Sequence, residues 1–452
     1  MSDHLTQAPR FPGVPLLGSA LKFRSNPAGF FMEMSAQGEP LLNFKMLHIN
    51  AFYVSSAEAT QEMLVNKFRA FIKGGIFFDN GSKIFGNGLV FSNGEFWGRQ
   101  RRIMQPMFHR EALASYLSAM QAEAEVMLNA WREEAKQGPV DVHRHLNQLT
   151  LDIASKVLFG SSLSAEGRKN LLSSMAFMLH ETQRRTLNGV DLPWWIPTPA
   201  NRKLVSNIKT YDRITEEVIR DKENADPDDR SLVTLLLNTP DEETGEQMNY
   251  QQIIDEIKVF FIAGSDTSAN ALAWTLMLLA QHAEVLLKVQ EEISAVVPEG
   301  GYPTMEQLNQ LKYTEQVINE SLRLYPPAWV ISRSNPEPDS LAGFSIPAGS
   351  TQFQSPFALH RNPAYWEEPE RFDPERFSPE RGGAKSPAFI PFGNGARKCI
   401  GLRFAMMEML TVLARVVPLV EFQLPAGHKV VPQFSATLEP QGGLPMQLKF
   451  RE

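Results

Sequence analysis

The chain of 452 residues is 43% hydrophobic and 21% charged, a balance that supports a large buried core and leaves little room for extended disorder. Its net charge of −7 argues against a nucleic-acid partner, because binding phosphates needs a surplus of Lys and Arg on one face. A single cysteine, Cys399, excludes an intramolecular disulfide and a zinc site built on paired thiolates, and suits a reducing, cytoplasmic compartment.

In chain order, Pro9, Pro12, Gly13 and Pro15 make residues 1–20 an extended lead-in, and the first ten residues hold no apolar run of the kind a signal peptide or anchor requires. Short β-like stretches follow around 41–44 and 51–54. From about 111 to 238 apolar residues recur three and four apart, a helical signal interrupted by Pro193, Pro197 and Pro199. One long helix is predicted over about 249–282, with Ile253, Ile254, Ile257, Phe260 and Phe261 on one stripe. Its most apolar run, 271–280, falls far short of the roughly 20 residues a bilayer demands, so no integral membrane segment is expected. Another helix should end at Pro326 and Pro327, since proline has no amide hydrogen and disfavours helix in the residue before it. The Pro- and Gly-rich stretch 367–392 reads as a loop, and a loop that long within a domain usually has a function. Helix resumes after Gly401, and short strands close the chain. With no linker, internal repeat, P-loop or Rossmann fingerprint, residues 1–452 are expected to form one domain, mainly α with a smaller β part.

A lone cysteine is ordinarily a small core hydrophobe. Cys399 has different surroundings: in Phe392-Gly393-Asn394-Gly395-Ala396-Arg397-Lys398-Cys399-Ile400-Gly401 the thiol lies between glycines, beside cations and just before a helix. Glycine lets the backbone turn and approach a flat cofactor, Arg397 can reach an anion, and a helix N-terminus with nearby cations stabilises thiolate over thiol.

Phe392, Gly395, Arg397, Cys399 and Gly401 together resemble the haem-binding signature of the cytochrome P450 family. The resemblance implies the P450 fold, haem b (iron protoporphyrin IX) as cofactor and Cys399 as the iron ligand, whose electron donation favours cleavage of the O–O bond. It also implies that Arg397 pairs with a haem propionate and that Phe392 packs beside the sulfur. Ala263-Gly264-Ser265-Asp266-Thr267-Ser268 resembles the family's oxygen-activation motif. There Gly264 would widen the helix at the haem, Thr267 would hydrogen-bond bound dioxygen, and Asp266 would relay protons. Without the resemblance, the same residues read as a Thr bonded back to its own helix. Glu320 and Arg323, with Arg376 in Pro374-Glu375-Arg376-Phe377, match the family's structural charge cluster. Trp97 and Arg101, four apart, match its propionate-directed pair, and Arg333 resembles a further propionate partner. His360 is a weaker candidate for a haem contact. The matches run in the family's order from Trp97 to Gly401.

The reaction implied is insertion of one oxygen atom from dioxygen into a lipophilic substrate, with electrons from a separate ferredoxin or flavodoxin and its reductase, by a soluble monomer. A peroxide-using or rearranging enzyme would share the same ligand, and a haem-binding sensor or electron carrier is the non-enzyme alternative. Arg99, Arg102 and Lys398 are candidates for a basic patch that docks the donor. Pocket walls are expected from Ile76, Phe77, Phe78, Phe177, Met178, Trp194, Trp195, Phe260, Phe261, Trp329, Val330, Ile331 and Phe434, although aromatic and Met residues at helical spacing are more often core. Gly86-Asn87-Gly88-Leu89-Val90, with Trp97 and Phe108-His109, resembles the subgroup that includes fatty-acid hydroxylases, which puts fatty acids first and terpenoids or steroids next.

Overall fold

A computed structural model describes residues 6–47, 49–160, 165–188, 193, 195–223 and 229–451. Helices hold 55% of the chain and strands 12%, the mainly α composition that the periodicity predicts. The described residues divide into two compact units, one formed by 75–125 and 147–266, the other by the residues up to 74, 126–146 and those from 267 onward.

The 75–266 unit is helical. It includes α1 (Gly94–Met104), the helices Ala165–Asn188 and Pro199–Lys222, and α2 (Tyr250–Gly264). Pro199, expected to interrupt helix, instead starts one: it occupies the first turn, where its missing N–H costs nothing, and the Thr198 hydroxyl caps the Asn201 amide at 3.1 Å. Asn249 and Gln252 form a reciprocal capping box that sets the start of α2. Its apolar stripe packs as the spacing predicts: Phe260 stacks on Phe108 at 6.2 Å between ring centres, and Phe261 meets Phe159 at 5.8 Å and Tyr211 at 6.5 Å. The opposite side of α2 is also buried and carries charge. Asp255 accepts from the Asn87 amide at 2.8 Å, Glu256 from the Leu89 amide at 2.9 Å and from Gln100 at 3.0 Å, and Lys258 pairs with Asp212. Two buried carboxylates therefore hold the 86–89 loop by its backbone. A side chain at Gly86 (φ 82°) would meet the Asp255 carboxyl at 2.1 Å, so this turn tolerates only glycine.

The single helix expected over 249–282 is two. α2 stops at Gly264 and α3 (Asp266–Gln281) follows, with Ser265 between them at φ −83°, ψ −74°. At the break the Ser265 amide and hydroxyl both donate to the Phe261 carbonyl, at 3.2 and 2.8 Å.

The other unit is built on a mixed sheet of β1 (Leu41–Met46), β2 (Ile49–Val54), β3 (Ile331–Asn335) and β4 (Ser350–Gln354), in the spatial order β1-β2-β4-β3. β1 and β2 form an antiparallel hairpin with Leu41 opposite Val54, β2 runs parallel to β4, and β3 returns antiparallel beside it. Leu41, Phe52 and Val54 point into a cluster with Met63, Leu64, Phe71, Leu341 and Ile346. α4 (Lys312–Leu324) ends before Pro326 as expected, and α5 (Leu402–Leu419) follows Gly401. Trp274 of α3 stacks on Tyr325 at 4.2 Å and donates to the Leu438 carbonyl at 3.0 Å, tying α3 to the chain beyond α4 and to the C-terminal strands. No single described helix is long and apolar enough to cross a membrane.

Between His360 and Cys399 the chain has only three short 3-10 turns, Pro374–Phe377, Gly383–Lys385 and Gly395–Arg397. Its conformation comes from the buried charges of α4. Arg323 makes a two-pronged contact with Glu320 at 2.7 and 2.8 Å and donates to the carbonyls of His360, Pro369 and Arg371. Glu320 also accepts from the Asp373 amide at 2.9 Å and pairs with Arg376 at 3.4 Å. Neither Glu320 nor Arg323 has exposed side-chain surface. Arg323→Met leaves Glu320 ionised or protonated in a place that water cannot reach, so unfolding free energy should fall by about 3–5 kcal/mol. Urea melts measure it; a loss below about 1 kcal/mol would show that the cluster does not order this segment.

Candidate active site

The segment that presents Cys399 is a chain of tight turns. Gly393 (φ 71°) and Gly395 (φ 68°) adopt the left-handed region, and a side chain at Gly395 would meet the Leu64 carbonyl at 2.2 Å. The Gly393 amide donates to Ile390 at 3.0 Å, Lys398 to Gly395 at 3.0 Å, and Cys399 to Phe392 at 2.9 Å, which closes the loop between the two signature positions. Gly401 is the N-cap of α5. Cysteine side chains are among the most buried in proteins, yet Cys399 is exposed, at the positive end of an 18-residue helix and beside half-buried Arg397 and exposed Lys398. Both features favour its thiolate.

Arg333, on β3 of the same unit, is 7% exposed. It donates to the Ser332 carbonyl at 2.7 Å, and among the described residues no carboxylate lies within ion-pair distance of it. Burial brings its pKa down to about 10. A buried guanidinium lacking a protein counter-charge fits an anionic group supplied by a cofactor. Thr267, in the first turn of α3, is half-buried, so the hydroxyl is neither sealed in the core nor on the open surface.

His360 is a structural residue. It is fully buried, its Nδ1 lies 3.2 Å from the Arg323 carbonyl, and its Nε2 accepts from the Ile390 amide at 3.0 Å. Both ring nitrogens are thus engaged by backbone, and burial, with Arg323 nearby, holds its pKa down to about 3. The neutral ring joins the Arg323 cluster to the beginning of the Cys399 loop.

In the 75–266 unit, Trp97 is buried on α1 and the Arg101 guanidinium lies 6.0 Å from its ring centre, so the two share a helix face as their spacing predicts. α2 is buried from Ile253 to Phe261, but Ala263 is exposed. A side chain at Gly264 would meet only the Phe260 ring edge, at 3.8 Å. Protein packing does not explain that glycine, whereas close approach of a flat ring system to the helix would. Asp266 is half-buried and the Ser265 hydroxyl points to it at 3.4 Å. Taken unit by unit, an exposed thiol and a buried cation lacking a carboxylate among the described residues fit a haem in one, and a glycine that protein packing leaves uncovered fits it in the other.

The basic patch expected from Arg99 and Arg102 is neutralised. Arg99 pairs with Glu246 at 2.7 Å, and Arg102 makes a fork with Asp241 at 2.8 and 3.0 Å and reaches Glu243 at 3.1 Å. An acidic loop 140 residues downstream on the chain compensates both charges, a contact that local spacing could not reveal. Several expected pocket residues are core: Met178 and Phe261 are fully buried, and Trp329 is held between Phe31 and Phe434 with its Nε1 donating to Ser435 at 2.9 Å. Phe78 and Phe260 are also buried, while Phe177 is half-covered by Lys203 at 4.6 Å. Val330, Ile331 and Phe434 are half-buried and Trp195 is exposed. Trp194 and the side chains of Ile76 and Phe77 lie outside the described residues.

Sequence reasoning missed Glu408. It lies on α5, fully buried, with Ser268 of α3 beside it, and neither carboxyl oxygen has a hydrogen-bond partner among the described residues. Burial raises its pKa to about 8, against a smaller opposing effect of Ser268. An acid among apolar neighbours on the helix after Gly401 was the only signal in the sequence. Because its folded pKa lies above its unfolded value of about 4.3, Glu408 costs no stability below that value and progressively more as pH rises towards 8. Glu408→Gln should therefore match the parent near pH 4.5 and become relatively more stable up to about pH 8. Thermal melts across that range test this, and a constant difference would refute a neutral, raised carboxyl.

A profile described as Cytochrome P450 matches residues 9–447. Among curated relatives, a cyclooctat-9-en-7-ol 5-monooxygenase of Streptomyces melanosporofaciens is 33% identical over 90% of this chain and 87% of its own. A pentalenene oxygenase of Streptomyces avermitilis is 31% identical over 92% of each. The crystal structure of the cytochrome P450DA heme domain superposes with a TM-score of 0.88 at 25% identity, covering 99% of this chain and 98% of that one. The match covers nearly the whole chain, in sequence and in fold, and it includes the signature loop around Cys399: the chain belongs to the cytochrome P450 family of haem-thiolate monooxygenases.

Proposed function

We propose that this monooxygenase holds haem b through the Cys399 thiolate and hydroxylates a terpenoid, drawing electrons from a separate ferredoxin or flavodoxin, as a cytoplasmic monomer. The observation that carries the reading is the exposure of the only thiol in the chain, at a helix N-terminus, within a loop that a buried charge cluster shapes. Bound haem supplies dioxygen activation and transfer of one oxygen atom to the substrate.

The chain's own residues would do the rest. Arg333 and Arg397 would pair with propionates, and Arg333 would thereby gain the counter-charge it otherwise lacks. The family resemblance assigns Trp97 and Arg101 the same task. Gly264 would let the ring approach α2, Phe392 would pack beside the sulfur, and Gly401 would let α5 start directly behind the ligand. Asp266 is open enough to exchange protons with solvent, and the Thr267 hydroxyl, which can both donate and accept, would pass them on to the reacting oxygen.

The terpenoid assignment rests on the relatives, whose names include cyclooctat-9-en-7-ol and pentalenene as compounds acted on; these move terpenoids ahead of the fatty acids that the loop resemblance favoured. Half-buried Val330, Ile331 and Phe434 would favour such a hydrocarbon skeleton, since desolvating apolar surface contributes roughly 25 cal/mol per Å² while a buried charge would lack a partner.

Cys399→Ser should abolish the reduced carbon monoxide spectrum typical of thiolate ligation and with it turnover; retention of that spectrum would refute the ligand assignment, because no second thiol exists. Thr267→Ala should keep haem and substrate binding but divert most reducing equivalents to peroxide or water, lowering product per electron roughly tenfold or more. Normal coupling would assign the motif to helix structure alone. Difference spectroscopy with cyclic terpene alcohols, fatty acids and steroids ranks the substrate classes, and a stronger response to fatty acids would reverse the terpenoid assignment.

A further inference from the structure

Arg376 is 5% exposed, and among the described residues it makes one hydrogen bond, to the Glu368 carbonyl at 2.9 Å, although a guanidinium has five N–H donors. Its Nε lies 3.4 Å from Glu320 without forming a hydrogen bond. Glu320 already holds Arg323 through both oxygens, at 2.7 and 2.8 Å, so two buried guanidiniums share one carboxylate and the group carries one positive charge in excess. Burying a charge without a counter-charge is costly.

A cavity of about 410 Å³ lies beside Arg376, within the size range of sites for small organic ligands. Its walls are rich in donors. Trp366 is 4% exposed, and its Nε1–H has no acceptor among the described residues. The Ser386 hydroxyl accepts from the Ala388 amide at 3.3 Å and keeps its own hydrogen to donate. Arg381 pairs with Asp373 at 2.7 Å, while Lys385 is exposed and makes no ion pair among the described residues. Backbone turns bring these groups together: the Gly382 amide donates to Ser378 at 2.8 Å, Lys385 to Gly382 at 2.9 Å and Ser386 to Gly383 at 3.1 Å. Gly383 lies so close to the Arg376 carbonyl that any side chain there would collide with it. Other acids of the same segment have partners elsewhere, Glu368 with Arg371 at 3.0 Å, Glu370 with Arg361 at 3.2 Å and Glu375 with Lys288 at 2.7 Å; Glu367 is the acid on the wall.

We propose that this cavity is a binding site for a small phosphate monoester. Trp, Arg and Lys side chains can only donate, so the ligand must bring the acceptors. A phosphate monoester brings three terminal oxygens and close to two negative charges, which match the donors of Arg376, Trp366 and Ser386 and offset both the excess buried cation and Lys385. A carboxylate, with two oxygens and one charge, would leave part of that set unmet. The rest of the cavity takes the organic body of the ester.

The test is isothermal titration calorimetry of the purified haem-loaded chain with glycerol 3-phosphate, inorganic phosphate and acetate, each at a constant ionic strength of about 0.15 M. Glycerol 3-phosphate should bind at one site per chain and raise the melting temperature by about 3 °C at roughly a hundredfold excess over its Kd. Inorganic phosphate should compete with it, and acetate should bind at least about tenfold more weakly. Lys385→Glu should weaken glycerol 3-phosphate binding by about tenfold or more and Ser386→Ala several-fold, with the melting temperature of the unliganded chain unchanged in the first, whose side chain is exposed. Lys449→Glu, the same change of charge at an exposed residue that does not line the cavity, should leave the affinity as it is. Absence of saturable heat with glycerol 3-phosphate, acetate binding as tightly, full affinity in both Lys385→Glu and Ser386→Ala, or an equal loss in Lys449→Glu would each overturn the proposal.

Discussion

An arginine with no exposed surface must satisfy five N–H donors inside the protein. Arg323 does so with two bonds to Glu320 and one each to the carbonyls of His360, Pro369 and Arg371. The last three acceptors lie on irregular chain with no sheet or helix of its own to join. Arg323 is therefore the partner around which that segment folds, and Glu320 extends the arrangement to the Asp373 amide and to Arg376. A charged pair buried in this way is a poor source of net stability, because desolvation offsets most of the attraction. What it contributes is a definite conformation for a segment that hydrophobic packing alone would leave underdetermined.

The Cys399 loop depends on this framework from two directions. His360, neutral and bonded at both ring nitrogens, carries the arrangement to Ile390. From the other side, Gly395 lies against the Leu64 backbone so closely that any side chain would collide with it. With both supports in place, the loop holds Cys399 at the head of α5. The same logic governs the 86–89 loop, where the buried carboxyls of Asp255 and Glu256 bind amides at 2.8 and 2.9 Å. Buried charge on a helix is the recurrent means by which irregular backbone is positioned in this protein.

Glu408 differs from these groups in having no hydrogen-bond partner for either oxygen among the described residues. It is the one acid on a buried face of α5 for which the surroundings favour the neutral form at physiological pH. Arg333 is its cationic counterpart, buried and without a carboxylate partner among the described residues. Buried charges with partners build the framework, whereas these two are found on β3, which carries a cofactor candidate, and on the helix that follows the ligand.

Local pattern was sufficient for the mainly α composition, the two strands near 41–54, the end of α4 before Pro326, the start of α2 near 249 and the signature loop, because each depends on residues a few positions apart. Trp97 and Arg101 shared a face for the same reason. Tertiary structure alone decided the rest. The break at Ser265 leaves no mark in the sequence, because helical periodicity continues unchanged through it. The pairing of Arg102 with Asp241 joins residues 139 apart, so a cationic patch inferred from one helix was cancelled by a loop far along the chain. Met178 and Phe261 were chemically suitable for a pocket wall, but sequence cannot tell an apolar residue that lines a cavity from one that fills the core; only the neighbours packed around it do.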